Sequence, residues 1–281
     1  MRIRSNCATF KWPINSPTGS PWLVKMKNET FKQRLTRGDL LLGTIITLSS
    51  TQVAEICSLS GFDWLFVDLE HSALSLTDAQ GILQTVAPSV PCLVRVPAND
   101  EAWIKKALDI GAAGIVVPQV KSVDDAQRAV RQCKYPPEGL RSVGIARAQG
   151  YGTHFQAYVQ SANEEIAVIV QIEHIDAVNE IDAILDVPGI DCIFVGPYDL
   201  SGSMGKMGRV GDPEVQRAIS TVRDCTQRVD LPLGIFGAST DAVKPYIQEG
   251  YTLIAVGIDT MLIANAASDI TSAFVDVKRR Q

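Results

Sequence analysis

Two acidic residues stand where chemistry is easiest to place. Glu173 closes the apolar run I-A-V-I-V-Q-I-E (166–173), and Asp199 closes D-C-I-F-V-G-P-Y-D (191–199). A short apolar run bounded by turn signals reads as a buried parallel strand. The C-terminal ends of such strands face the mouth of an α/β protein, where ligands and metals sit. Carboxylates on two successive strand ends can share one hard divalent cation. The plainer alternative is that both cap helices or pair with a nearby Lys or Arg. Other runs add Asp68, Glu70 and His71, then Arg95, then Gln119, with Gln171 beside Glu173 and Gly196, Pro197 and Tyr198 before Asp199. Such a set divides its labour: carboxylates for a cation, arginine for a substrate carboxylate, histidine for a proton.

Each residue also has a purely structural reading. His71 is one of three histidines, and a lone histidine is commonly structural; its place after an apolar strand beside two acids favours proton transfer. Arg95, inside L-V-R-V-P, is too costly to bury alone, so it meets either an internal acid or an anionic ligand, and the neighbouring strand ends favour the ligand. Asp109, at the end of a helical stretch 100–110, is disfavoured by the helix dipole. It is either a surface acid or one that reaches across the mouth to His71. His154 and His174 receive no role.

The elements that must hold these residues alternate from residue 40 onward. Apolar runs at 41–47, 64–69, 92–96, 114–118, 166–172, 191–195, 232–236 and 252–256 predict strands. Amphipathic stretches at 51–60, 76–87, 100–110, 122–133, 175–185, 213–228, 239–249 and 260–278 predict helices. Capping chemistry marks several starts (Thr77-Asp78, Asn99-Asp100, Ser122, Asp212-Pro213), and Gly61, Gly111 and Gly250 mark stops. Eight β-then-α units predict a single (β/α)8 TIM barrel over 27–281. A doubly wound sheet is the competitor, but neither G-x-G-x-x-G nor G-K-[ST] follows the first strand. Residues 134–165 form a long insertion between the fourth and fifth strands, expected to be a lid or substrate loop at the mouth.

A net charge of −5 argues against nucleic acid or an anionic membrane as partner. No stretch has the length of a membrane helix. The six cysteines are scattered without C-x-x-C spacing, which points to a reducing, cytoplasmic setting without disulfides or zinc. Residues 1–26 lack both a period and a secretory h-region and read as an N-terminal extension, with Met26 a candidate natural start.

Five ordered segments carry a resemblance: F-D-W-L-F-V-D-L-E-H (62–71), V-R-V-P-A-N-D (94–100), Y-P-P-E-G-L-R-S-V-G (135–144), V-Q-I-E (170–173) and G-P-Y-D-L-S (196–201). Together they resemble the HpcH/HpaI aldolases, class II pyruvate aldolases of the phosphoenolpyruvate/pyruvate superfamily, from about Lys27 to Phe274. The resemblance implies a divalent metal (Mg²⁺, Mn²⁺ or Co²⁺) on Glu173 and Asp199. Pyruvate would lie beside Arg95, Gln171 and the Gly196-Pro197-Tyr198 turn, and a His–Asp dyad would map to His71 and Asp109. It also implies a hexamer, a trimer of dimers, whose C-terminal helix packs on a neighbouring subunit. The implied reaction cleaves a 4-hydroxy-2-oxoacid to pyruvate and an aldehyde. Oxaloacetate decarboxylation, a citrate-synthase-like condensation or a non-catalytic metabolite-binding barrel are the alternatives. Two departures bear on the acceptor aldehyde. Ile45 stands where many members have Trp, and Ser142 replaces a glycine beside Arg141, which is expected to contact the acceptor.

Overall fold

The computed structural model describes residues 29–87 and 89–274. The expected extension, 1–26, and the end of the last expected helix lie outside the described residues. The strands are β1 (Leu41–Ile46), β2 (Trp64–Asp68), β3 (Cys92–Arg95), β4 (Gly114–Val117), β5 (Ala167–Ile172), β6 (Cys192–Val195), β7 (Leu233–Gly237) and β8 (Leu253–Ile258). Each pairs in parallel with the next, and β8 returns to β1, which closes the barrel. The eight strands match the runs expected from sequence because parallel strands, covered on both faces, need near-continuous apolar residues.

The helices are α1 (Phe31–Thr36), α2 (Thr51–Leu59), α3 (Leu76–Val86), α4 (Glu101–Asp109), α5 (Val123–Cys133), α6 (Phe155–Glu165), α7 (Ile175–Asn179), α8 (Ile181–Leu185), α9 (Pro197–Ser203), α10 (Pro213–Arg228), α11 (Thr240–Gln248) and α12 (Asp259–Ser272). Ser75, not Thr77, caps α3, and it forms a reciprocal capping box with Asp78. The expected helix 175–185 is interrupted at Glu180, giving α7 and α8. Gly61, Gly111 and Gly250 end their helices with φ of +96°, +96° and +93°, the left-handed backbone that glycine supplies.

Inside the barrel, aromatic rings run in sequence from base to mouth. Phe31 and Leu35 of α1 plug the strand N-terminal end. Phe31 lies 6.3 Å from Trp64, Trp64 lies 5.7 Å from Phe66, and Phe66 meets Phe194 edge-on at 5.8 Å. Phe66 and Phe194 end this column and line the cavity above it.

The insertion is placed differently from the expectation. It follows α5 and precedes β5, so it lies under the strand N-terminal ends, away from the mouth. It is also not a bare loop, for it contains α6 and a short 3₁₀ segment, Arg147–Gly152. Among the described residues, no helix is long and apolar enough to cross a membrane.

Candidate active site

The strand C-terminal ends enclose a cavity of about 220 Å³. It is lined by Asp68, His71, Arg95, Gln171, Gly196, Pro197, Tyr198 and Asp199, together with Ile45, Thr47, Phe66, Phe194, Phe236 and Ile258. His71, Arg95, Gln171, the 196–198 turn and Asp199, all expected from sequence, therefore share one space.

Asp68 organises the β2 side. Its Oδ1 accepts from the Glu70 and His71 backbone N–H groups at 3.0 and 3.3 Å, so the chain leaves β2 in a tight turn. The same carboxylate takes Arg95 bidentately, Nε at 2.9 Å and Nη2 at 2.7 Å. Arg95 also lies over the Phe66 ring at 5.3 Å and within 3.3 Å of Glu70 Oε2. Burial opposes its charge, but pairing with Asp68 and the nearness of Glu70 and Glu173 outweigh that and raise its pKa. Arg95 thus meets an internal acid, and Nη1 alone of its nitrogens makes no hydrogen bond within the described residues.

Glu173, buried at 2 % exposure, is gripped from three sides. Its Oε1 accepts from both the backbone N–H and the side-chain amide of Gln119, at 2.7 and 2.9 Å. Its Oε2 accepts from the Gln171 amide. A side chain at Gly196 would stand 2.9 Å from Glu173 Cβ and 3.0 Å from Oε2, so only glycine leaves the carboxylate room. Gln119 reaches Glu173 twice because its backbone is left-handed, φ +56°, a costly conformation for a glutamine of the kind that collects at functional sites. Burial raises the Glu173 pKa, Asp199 adds to this, and the Gln119 and Gln171 hydrogen bonds oppose it.

Asp199 lies in the first turn of α9, whose start carries Pro197 at its first position. Gly-Pro followed by Asp is the sequence signal for this helix start, so Asp199 belongs to a helix and not to a strand end. Glu70 completes the acidic group, its Oε2 3.7 Å from His71 Nε2. Burial raises its carboxyl to about 7, Arg95 opposes the shift, and Glu173, Asp68 and Asp199 add to it.

These residues suit a hard cation. Asp68, Glu173 and Asp199 crowd Glu70 beside Arg95, and two buried acceptors, Gln171 Oε1 and Glu70 Oε2 (ion-paired with Arg95), accept no hydrogen bond. Among the described residues no three metal-ligating side chains converge. Glu173 and Asp199 would hold a cation that takes its remaining oxygens from water and substrate, the habit of Mg²⁺.

The other two expected site residues lie elsewhere in the chain. Asp109 ends α4 and Arg141 belongs to the insertion, both at the base of the barrel. Arg141 Nη2 donates to Asp109 Oδ1 at 2.7 Å and Nη1 to Tyr158 Oη at 3.2 Å, with the guanidinium 4.5 Å from the Tyr135 ring centre. Within one chain the structure joins Asp109 to Arg141 and not to His71.

A model of the HpcH/HpaI aldolase/citrate lyase family matches residues 42–266. The chain belongs to that family. It is 37% identical over 250 residues to a 4-hydroxy-2-oxovalerate aldolase of Rhodococcus jostii, covering 88% of this chain and 96% of that protein. It is 39% identical to a 4-hydroxy-2-oxo-heptane-1,7-dioate aldolase of Shigella sonnei over 87% of this chain and 94% of the relative. A crystal structure of a family protein from Burkholderia cenocepacia superimposes with a TM-score of 0.83 at 36% identity, covering 86% of this chain and 97% of that one. Membership makes the chain a carbon–carbon lyase of the aldolase kind.

Proposed function

We propose that this chain reversibly cleaves a 4-hydroxy-2-oxoacid to pyruvate and an aldehyde, with Mg²⁺, Mn²⁺ or Co²⁺ held by Glu173 and Asp199. The observation that carries this reading is the grip on Glu173: donors on both oxygens, no side chain at 196, and Asp199 in the first turn of the helix that follows β6. When bound, such a cation supplies Lewis-acid polarisation of the substrate's keto group.

The protein's own groups do the rest. Arg95, fixed by Asp68, keeps Nη1 for the 2-oxoacid and adds positive charge where the enolate develops. Gln171 offers Oε1, which has no donor in the structure. His71 accepts the proton of the 4-hydroxyl. The O–H pair becomes the aldehyde carbonyl, the C3–C4 pair becomes the enolate C2–C3 bond, and C3 then takes a proton to give pyruvate. His71 suits this traffic because its side chain is 61% exposed and stands beside Glu70. Glu70 has a pKa near 7, placed to exchange protons at neutral pH.

The proposal extends to a hexamer and a cytoplasmic setting. Leu262, Ile263 and Ile270 on α12, with Phe274 beyond it, are all exposed, as a helix that packs on another subunit requires. The five described cysteines are all free, and four are buried.

The test is pyruvate release from a 4-hydroxy-2-oxoacid, paired with Mn²⁺ binding followed by electron paramagnetic resonance. Activity is expected only with metal, and Mn²⁺ is expected to bind without substrate. Full turnover in verified metal-free protein would overturn the metal assignment. No pyruvate with any of the three metals would overturn the aldolase reading.

A further inference from the structure

The cavity is not uniform around its rim, and the difference follows the strand order. Its charged or amide-bearing residues come from β2, β3, β5, β6 and the turns that follow them: Asp68, His71, Arg95, Gln171 and Asp199. The rest of the ring, β7, β8 and β1, contributes Phe236, Ile258 and Ile45, with Thr47 just past β1. Phe236 continues into Tyr198, ring centres 6.0 Å apart, so the apolar arc carries on to the edge of the charged arc.

The charge that follows the arc in the chain is already used. Asp259, directly after β8, is 1% exposed and accepts from Thr47 N, Thr47 Oγ1, Leu48 N and Thr260 N at 2.7–2.9 Å. No cation lines the arc among the described residues. Arg141, the residue in a position to read a distal carboxylate by sequence alone, is buried at the other end of the barrel against Asp109.

We propose that the aldehyde portion of the substrate lies against Ile45, Phe236 and Ile258, and that this enzyme takes uncharged alkyl aldehydes in preference to aldehydes bearing a second carboxylate. The inference rests on the aldolase reading and assigns the half of the substrate that reading leaves open. Its physical basis is that a carboxylate placed on this arc is desolvated without a partner, whereas each added methylene gains by leaving water.

Two measurements on the wild-type protein with saturating Mn²⁺ test it. In the cleavage direction, a 4-hydroxy-2-oxoacid with an alkyl tail is compared with one of equal length ending in a carboxylate. kcat/KM is expected to favour the alkyl tail at least tenfold; equal values, or preference for the carboxylate, overturn the proposal. In the synthetic direction, acetaldehyde, propanal and butanal are condensed with pyruvate. kcat/KM is expected to rise about two- to fourfold per methylene, the upper figure being the value of full burial; a flat or falling series overturns it. If no acid releases pyruvate and no aldehyde condenses, the aldolase reading itself has failed, an outcome distinct from a reversed preference.

Discussion

The two ends of the barrel handle charge in opposite ways. At the base, Arg141 meets Asp109 at 2.7 Å, Lys32 meets Asp191 at 2.9 Å, and buried Lys134 donates to the backbone carbonyls of Asn163 and Ile166. Each charged side chain there is held by an acid or by backbone carbonyls of the chain, and the buried polar atom left over on Arg141, Nε, is a donor. At the mouth, Asp68, Glu173 and Asp199 gather with Arg95 around Glu70, and two buried oxygens make no hydrogen bond. The base is arranged for the folded chain alone. The mouth is arranged for something that binds to it, and its surplus of negative charge is what a cation would relieve.

The sharpest way to break this contrast is to remove one acid from each end. Glu173→Gln or Asp199→Asn should lower kcat/KM by about three orders of magnitude and abolish Mn²⁺ binding, with thermal stability unchanged or raised, since a crowded charge is relieved. Asp109→Ala should do the reverse. It leaves the buried Arg141 guanidinium without its acid and should cost about 3 kcal/mol in urea unfolding, with Mn²⁺ affinity unaltered. A fall in kcat at unchanged stability would instead return Asp109 to the chemistry that a His71 partner implies.

A finer test concerns how Glu173 is held. Gln119→Gly keeps the backbone donor and tolerates the left-handed φ but deletes the side-chain amide. Mn²⁺ affinity should drop about tenfold, the usual scale for a group that orients a ligand, while the unfolding midpoint stays level or rises. Unchanged affinity would show that the amide does not position the carboxylate.

Glu70 gives the mouth a pH signature. Between about 4.5 and about 7 the folded protein holds a proton that the unfolded chain has released. Metal-free stability should therefore fall as pH rises through that window, with the penalty complete above it. Glu70→Gln should gain about 1–2 kcal/mol at pH 8 and close to nothing at pH 4.5, read from urea midpoints. Equal gains at both pH values would refute the assignment. The smallest effect is expected at Ile45, a wall residue at 5% exposure. Ile45→Trp should narrow the range of branched aldehydes accepted while leaving acetaldehyde within a fewfold, checked by kcat/KM across a branched series.

The strands and the residues at their ends were legible because one requirement, apolar burial on both faces, wrote them into sequence. The two ends of the barrel were harder to tell apart. The length of the insertion suggests a lid, yet the helix 122–133 precedes it, and a loop that follows a helix in a βα unit returns to the strand N-terminal side. The signal was present in the order of elements. Gln119 is different: nothing in a glutamine announces a left-handed backbone, so its second hydrogen bond to Glu173 emerges only in three dimensions. For Arg95 the neighbouring strand ends favour an anionic ligand over an internal acid, whereas the geometry shows the internal acid Asp68 taking two of its nitrogens.

Three of the four hydrogen bonds accepted by Asp259, from Thr47 N, Thr47 Oγ1 and Leu48 N, join the start of the barrel to its end, across 212 positions of chain from Thr47. A ribosome releases the N-terminal strands first, so Thr47 and Leu48 wait for all eight strands to emerge before their holder arrives. A nascent or truncated chain ending before residue 259 can have most of its strands and still lack a finished rim. The rim of the cavity is thus joined only after β8 has emerged and paired with β1.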